Sequence, residues 1–401
     1  MPTLLVLAAS EHQLPVIHAA KRLGVRVLTT DNVPDNPGHA IADACFGVDT
    51  TDSAAVLALA REQEIDGVIA ACTDVAVHTA AFVADELQLP GFSTAAALTL
   101  TDKALFRRFL DDAGAGNPPW TELTAQTPDG GDPAAVDEVL AGGAAVLKPA
   151  RSSGSKGTFV VTNRAEFDAR LPETLSFGPD GRAVLEAFID GMQGTIEGVL
   201  ADGAVSWALI THRRTAPIPY CATWGHILPS GLPAAAEAAI RAEIARLLGQ
   251  FAITDGPFDA DFVLAGETIH ILEVSPRLGG NALSALAALA ADVDLPMYAV
   301  RHALGLDPAF VPAPTRPSAA ILLGVQEPGR LYFDEAAAVD LRAQDWVHEL
   351  SIDHPIGAEV FPFVSGRHKI ARVLLTGQTP DQLHARIAEV ERRLDLRAVA
   401  G

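Results

Sequence analysis

Cysteine is scarce: Cys45, Cys72 and Cys221 are the only three among 401 residues, and they lie far apart. No CxxC or Cys/His spacing joins them, which excludes a disulfide framework and a structural zinc site and predicts a reducing, cytoplasmic setting. Positive charge is scarce too, with 29 Lys and Arg against 50 Asp and Glu and a formal charge of −21. Nucleic acid and anionic membrane are thereby excluded as partners, and local basic groups stand out. Long apolar runs are missing. The richest Ala/Leu stretch, Ala282–Ala291, is too short to span a bilayer and is followed by Asp292 and Asp294. The start, Met1–Leu7, has no basic segment before its apolar run and reads as a strand, not a signal peptide. Also lacking is a G-x-G-x-x-G fingerprint: Ala8-Ala9-Ser10-Glu11-His12 follows the first strand, so Asp31 reads as a turn residue and not a ribose ligand. There is no GK[ST] phosphate loop, no internal repeat, and no evident Ser/His/Asp or Cys/His nucleophile.

What is present is ample apolar material, 49% of the chain, enough for two or three domains. Leu4–Ala8, Leu14–Leu23 and Val25–Thr29 read as strand, helix and strand; Ser53–Gln63 and Asp66–Ala71 add a helix and a strand. Such alternation predicts a Rossmann-like parallel sheet over residues 1–100. A helix is expected from Lys103 to Leu110, with Thr101 or Asp102 as cap. Asn117–Pro133 reads as a Pro/Gly/Asp loop and Ala144–Leu147 as a buried strand ending at Lys148. Val184–Ile189, Thr195–Leu200 and Ala204–Ile210 read as strands, Thr211–Leu232 as irregular and polar, and Ala234–Gln250 as a helix. Leu283–Ala291 and Pro296–Leu304 are expected to be helical. Asp307–Pro317, with four prolines, reads as a linker. Beyond it, 318–401 is expected to form a small α+β domain with strands at Ala319–Val325, Gly357–Phe363 and Ile370–Thr376 and an amphipathic helix at Pro380–Leu394.

The chemistry concentrates in two runs. Gly256–Asn281 reads as a β-hairpin turning at Gly266-Glu267-Thr268. A three-residue turn sets Asp261 opposite Glu273 and Val263 opposite Ile271, and places Asp259, Asp261, Glu273 and Ser275 on one face. The other face carries Phe258, Ala260, Phe262, Leu264, Leu272 and Val274, with His270 the one polar member. Directly opposed carboxylates, with Cβ atoms about 5 Å apart, repel. A divalent cation between them removes the repulsion; acids pointing into solvent are the plain alternative. Arg277 and the Gly279-Gly280-Asn281 turn follow at once, which suits an anionic, metal-bound substrate. The second run, Lys148-Pro149-Ala150-Arg151-Ser152-Ser153-Gly154-Ser155-Lys156-Gly157-Thr158, combines a lysine at a strand end with glycines that free backbone amides and serines that add donors. It suits phosphate, although a surface hairpin has the same composition.

In this order the two runs resemble the ATP-grasp superfamily, and more narrowly its L-amino acid ligase-like carboxylate–amine ligases. The resemblance implies an N-terminal parallel-sheet domain, a central ATP-grasp fold of two α+β subdomains over 101–306 (about 101–183 and 184–306), and the C-terminal α+β domain. It implies ATP and Mg²⁺ as cofactors, with Mn²⁺ as a substitute, and a homodimer. Lys103 and Lys148 stand at the nucleotide lysine positions, and Ser152, Ser153, Gly154, Ser155, Lys156 and Gly157 at the loop over the phosphates. Glu186, Ala187, Phe188 and Ile189 match the strand that meets adenine, and Gln193 the ribose position, where the family commonly has Glu; Glu197 could stand in for that charge. Asp261, Glu273 and Ser275 match the metal positions, where Glu and Asn are usual at the first and third. Arg277 matches the arginine beside the transferred phosphate and, with Lys148, is expected to be catalytic. Gly225-His226…Pro229 matches a segment on the acceptor side, with Trp224 where the family has Glu.

The resemblance implies that ATP phosphorylates a carboxylate and that an amine attacks the acylphosphate, releasing ADP and phosphate. Dipeptide or specialised-metabolite synthesis is a natural setting. Arg213, His226, Arg277, Gly280 and Asn281 are expected at the substrate. The alternatives are an ATP-grasp carboxylase that activates bicarbonate, against which a long Thr211–Pro233 acceptor loop argues, and a nucleotide-binding regulatory protein without turnover.

Overall fold

The computed structural model describes residues 1–126, 131–307 and 311–400. Residues 127–130 of the expected Pro/Gly/Asp loop and 308–310 of the expected linker lie outside them. The N-terminal sheet is parallel, with strands β1 (Thr3–Leu7), β2 (Arg26–Thr30), β3 (Ala44–Phe46) and β4 (Gly67–Ala70) in the order β3-β2-β1-β4. Helices cover both faces, so every residue of β1 is buried. Asp31 serves its turn, as expected: it accepts from the amides of Ala9 (2.9 Å) and Val33 (3.0 Å) and from the Asn36 side chain (2.8 Å). The short β3 and the helices Val77–Leu87 and Thr94–Thr101 add to the expected elements.

The helix Lys103–Asp112 starts at Asp102, whose carboxylate accepts from the amides of Ala104 (3.0 Å) and Leu105 (3.1 Å). A second, antiparallel sheet follows: β5 (Trp120–Thr124), β6 (Ala145–Pro149), β7 (Phe159–Val161) and β8 (Arg182–Ala187), ordered β5-β8-β6-β7. It packs on the helices Pro133–Ala141 and Arg164–Phe177 through Leu123, Leu147, Phe167 and Leu185.

The third sheet takes β9 (Met192–Ala201), β10 (Ala204–Thr215), β11 (Thr223–Leu228), β12 (Gly256–Ala265) and β13 (Thr268–Ser275). The C-terminal region supplies β14 (Ser318–Leu323), β15 (Gly329–Tyr332), β16 (Val347–Ile352), β17 (Glu359–Val360), β18 (Ala371–Thr376) and β19 (Arg397–Val399). Three of these join the same sheet, which runs β13-β12-β9-β10-β11-β14-β18-β16, while β17-β15-β19 make a small sheet of their own. One face of the large sheet is covered by the helix Ala234–Gly249, which buries Ile240, Ile244, Leu247 and Leu248 against Ile196, Phe258 and Phe262. That i, i+4, i+7, i+8 stripe contributes roughly 1.5–3 kcal/mol per side chain. On the opposite face Val199, Leu209 and Leu228 pack against the helices Leu283–Ala291 and Leu295–Ala303, and the rest of that face is open. These two helices meet at 115°; among the described residues no single helix is long and apolar enough to cross a membrane.

Two expectations are corrected. Thr211–Leu232 is irregular only at 216–222 and 229–232. Thr211–Thr215 completes β10, and Thr223–Leu228 is a central strand bonded to β10 on one side and β14 on the other. Its polarity comes from floor positions of a polar cavity, so alternation in and out of water was masked. The hairpin turn is also tighter than expected. Ala265 pairs with Thr268 and Val263 with His270, leaving Gly266 (φ +61°) and Glu267 to turn. A bulge then inserts Leu272, which restores the expected pairing of Asp261 with Glu273. As a result Ile271, not Leu272, joins Phe262 in the core, and Leu272 faces the cavity.

Candidate active site

The cavity, about 720 Å³, lies over the open face of the large sheet, beneath the second sheet and against loops from both ends of the chain. Its floor follows from strand register. Asp261 stands opposite Glu273 on β13 and opposite Thr195 on β9, and Arg213 stands opposite His226. Asp261 accepts from the Thr195 hydroxyl (2.5 Å) and pairs with Arg213, which also donates to Gln193 (2.8 Å). Glu273 is the more open acid, with 43% of its side chain exposed and Lys103 at 3.8 Å, outside hydrogen-bonding distance. The two carboxylates are hard donors suited to Mg²⁺. Among the described residues no cluster of three His, Cys, Asp or Glu surrounds them, so this pair fits a cation that takes its other ligands from water and phosphate. The hydroxyl of Ser275 is turned away from that pair and donates to Asp74 (2.9 Å).

A buried charge network forms the second wall. Glu186 is 3% exposed and Arg107, from the capped helix, 1%. Glu186 accepts from Arg107 Nε (2.7 Å) and from Lys148 Nζ (2.5 Å). Burial works to raise the Glu186 pKa, but the guanidinium and the ammonium outweigh it and bring it to about 2. Burial also lowers the Lys148 pKa, against the pull of Glu186. Glu186, expected at adenine, instead holds Lys148 in place. Arg107 reaches further, to the Ile271 carbonyl (3.1 Å), and so ties this wall to the hairpin. Ala187, Phe188, Ile189, Val263 and Leu272 supply an apolar lining beside it.

The glycine-rich run is a loop between β6 and β7. Gly154 (φ +67°), Ser155 (φ +58°) and Gly157 (φ +70°) are left-handed. A Cβ on Gly157 would come within 2.6 Å of the Phe177 ring, so this position requires glycine for space and for conformation. Lys103 Nζ donates to the Ser152 carbonyl (3.1 Å), holding the loop base above the acids. Ser152, Ser153, Gly154, Ser155 and Lys156 line the cavity, whereas Gly157 supports them from behind.

Arg277 is the tie between domains. Its Nε and Nη2 donate to Asp74, after β4, at 3.0 and 2.5 Å, and its Nη1 donates to Asp259 (2.8 Å) and to the Leu278 carbonyl (3.1 Å). Those bonds commit most of the guanidinium that was expected at the transferred phosphate. Burial raises the Asp259 pKa to about 7 despite Arg277, and burial with the neighbouring Asp259 raises that of Glu197. Glu197 does not replace the ribose contact; it accepts from the Gly279 amide (2.9 and 3.1 Å). A Cβ on Gly279 would lie 2.3 Å from the Glu197 carboxylate, so the turn carrying Gly280 and Asn281 to the cavity depends on glycine. Cys72 donates its thiol to the Gly279 carbonyl (3.0 Å), and burial pushes its pKa to about 12.

His226 sits on the floor, 2% exposed, with Nδ1 at 3.1 Å from the Thr211 hydroxyl and no partner for Nε2. Burial first, then Arg213, lowers its pKa from 6.5 to about 3. A histidine held neutral in this way adds stability above pH 6.5 and loses it as pH falls from 6.5 toward 3. Wild type is therefore expected to lose about 2 kcal/mol of this contribution by about pH 5, and His226→Asn to lose none of it. Urea unfolding at neutral and acid pH checks this; parallel curves for the two proteins would refute it.

Trp224, expected to face substrate, does not. Its indole donates to the Phe363 carbonyl (3.1 Å) and stacks on that ring at 5.7 Å. Arg214 makes an ion pair with Glu391 (2.9 Å) outside the cavity. Residues the sequence reading missed close the far end: Glu11 and His12 after β1, and Asp353, His354, Arg367, Lys369 and Arg372 from the C-terminal strands. Lys369 pairs with Asp353 (2.9 Å) and Arg372 with Glu349. Only proximity in the fold reveals them, since no spacing links residues 12 and 369.

Residues 100–281, which hold the acids, both lysines and the glycine-rich loop, match the ATP-grasp domain family. They are an ATP-grasp domain. The whole chain is 26% identical over 399 residues to a formate-dependent phosphoribosylglycinamide formyltransferase of Paraburkholderia xenovorans, covering 95% of this chain and 92% of that one. Its fold is that of an L-amino acid ligase from Bacillus licheniformis, with TM-score 0.80, 19% identity and coverage of 100% and 99%. It is also similar to the biotin carboxylase domain of Hydrogenobacter thermophilus 2-oxoglutarate carboxylase, solved as a dimer with MgADP, ADP and bicarbonate (TM-score 0.73, 16% identity, coverage 98% and 90%).

Proposed function

We propose that this ATP-grasp ligase activates a carboxylate as its acylphosphate and couples it to an amine. The observation that carries this reading is the facing of Asp261 and Glu273 against Lys148 and the glycine-rich loop across one cavity. Phosphoryl transfer needs positioning and charge neutralisation more than covalent help. Lys148, aligned by Glu186, and Lys103 meet the phosphates; loop amides near Gly154 cradle them; the apolar wall at Ala187–Ile189 takes the base. Mg²⁺ held by Asp261 and Glu273 would draw charge off the phosphate oxygens. A carboxylate oxygen attacks the γ-phosphorus and the bond to the β-phosphate oxygen breaks, releasing ADP. The amine nitrogen then attacks the acyl carbon, inorganic phosphate departs, and the nitrogen gives up a proton.

The far end suits a partner bearing both charges. Lys369 with Asp353 and Arg372 with Glu349 are neutral pairs, and Glu11 and His12 face them. An amino acid or similar zwitterion matches such alternation, and formate, named in the activity of the relative, is the smallest carboxylate to pair with it. Bicarbonate activation remains the second reading, because two strands divide Thr211–Pro233 and leave only the short stretches 216–222 and 229–233 irregular in place of one long acceptor loop. Phosphate release is to be measured with amino acids singly and in pairs, with formate plus amines, and with bicarbonate. Release that requires both a carboxylate and an amine supports the ligase; release with bicarbonate alone overturns it.

A further inference from the structure

The glycine-rich loop touches the C-terminal region at a hydrogen bond that neither the phosphate chemistry nor the sheet requires. The Gly366 amide donates to the Gly154 carbonyl (3.2 Å). Gly366 opens a short turn, Gly366–His368, after Ser365, which is extended at φ −154° and ψ 164°. The turn itself is held from behind. Trp224, on the central strand β11, stacks on Phe363 and donates to its carbonyl, and Phe363 is 2% exposed, wedged against Gly324. On its cavity side the same stretch presents Arg367 and Lys369 to the far end. One short piece of backbone therefore meets the phosphate loop, the rigid sheet and the second-substrate end.

We propose that Gly366 is a positioning residue that latches the phosphate loop closed, with Trp224 and Phe363 holding the latch in place. This rests on the ATP reading of the cavity. Closure of a glycine-rich loop needs a partner on the opposite wall, and the loop's own side chains give little: Ser155 reaches the Cys221 carbonyl at 3.3 Å and Ser152 bonds within the loop. The backbone contact to Gly366 is independent of side-chain identity in the loop. It also explains why Trp224 is conspicuous in the sequence yet absent from the cavity lining.

The test uses proline. Gly366 stands at the first position of its turn, where proline's fixed φ is favourable and the preceding extended residue is compatible. Nothing lies within 4 Å of a Cβ there, so Gly366→Ala keeps the donor without a clash. Gly366→Pro removes the donor and sets its Cδ where the N–H met the Gly154 carbonyl, so the contact cannot form. Trypsin cuts after Arg151 and Lys156, in the loop, and with MgADP bound the cutting rate follows the open population. Gly366→Pro is expected to speed this cleavage about fivefold and to raise KM for ATP by a similar factor with kcat little changed, while Gly366→Ala keeps the wild-type rate. Trp224→Leu is expected to act like Gly366→Pro, and Trp224→Phe, which keeps a ring on Phe363, to recover most of the protection. Equal cleavage of the proline and alanine variants under MgADP overturns the latch and leaves the ATP site standing. If MgADP protects not even the wild type, the ATP reading fails and the latch fails with it.

Discussion

Replacing Asp261 by Asn or Glu273 by Gln is expected to lower ADP formation about a thousandfold or more while the protein stays folded, and Glu273→Gln becomes slightly more stable. Both halves follow from one geometry. The two acids oppose each other across adjacent strands, and like charges so placed cost roughly 0.2–1 kcal/mol, which an amide removes. In Asp261→Asn the amide oxygen still accepts from Arg213 while the amide nitrogen takes the other oxygen's place and can donate to the Thr195 hydroxyl, and in Glu273→Gln the new side chain stays in the open part of the cavity. Each variant thus loses half of the hard donor pair without losing packing. Thermal unfolding beside an ADP assay separates the effects, and near-wild-type turnover would end the assignment of these acids to a metal.

Arg277→Met is expected to destabilise the protein by about 3–5 kcal/mol, more than it would if Arg277 served substrate alone. Asp74 and Asp259, both half-buried, would each be left without their guanidinium. Burial opposes ionisation of Asp74, and Arg277 holds its pKa below the usual carboxylate range, so the loss falls on a half-buried charge that is only partly solvated. Arg277→Lys keeps the charge but not the fork, and most of the destabilisation should remain. The double variant Asp74→Asn, Arg277→Met should recover part of it. Denaturant unfolding checks the series; a loss below about 1 kcal/mol for Arg277→Met would show that the tie is dispensable. If Arg277→Lys unfolds normally yet loses turnover, the remaining donor does act on the phosphate.

Three of the four parallel strands and the first two long helices of the N-terminal region, the capped helix at Asp102 and the hairpin acids were legible because each is encoded locally, by period, cap or cross-strand spacing. Asp261 and Glu273 were paired correctly although the turn was misjudged: a tighter turn and the bulge at Leu272 cancel in register. Polar β11 was illegible for a physical reason. A strand buried under a cavity turns Thr223 and His226 toward it where a solvent-facing strand would carry Lys or Glu, and packs Trp224 on Phe363, so its alternation does not look amphipathic. Arg107, Asp74, His12 and Lys369 act through contacts between distant parts of the chain, and no local pattern marks them. Arg277 was found by resemblance, but its commitment to Asp74 required the fold.

The eight-stranded sheet, finally, bears on how the protein can be divided. Because β14 is hydrogen-bonded along β11 and continues into β18 and β16, cutting the chain near residue 307 would not release a finished catalytic unit. It would leave the backbone groups of β11 unpaired beside apolar Ile227 and Leu228, a long bare edge of the kind that recruits other chains. The C-terminal region is in this sense the selvage of the catalytic sheet. A truncated form should aggregate rather than bind nucleotide weakly, and the two ends of the chain should melt in one transition.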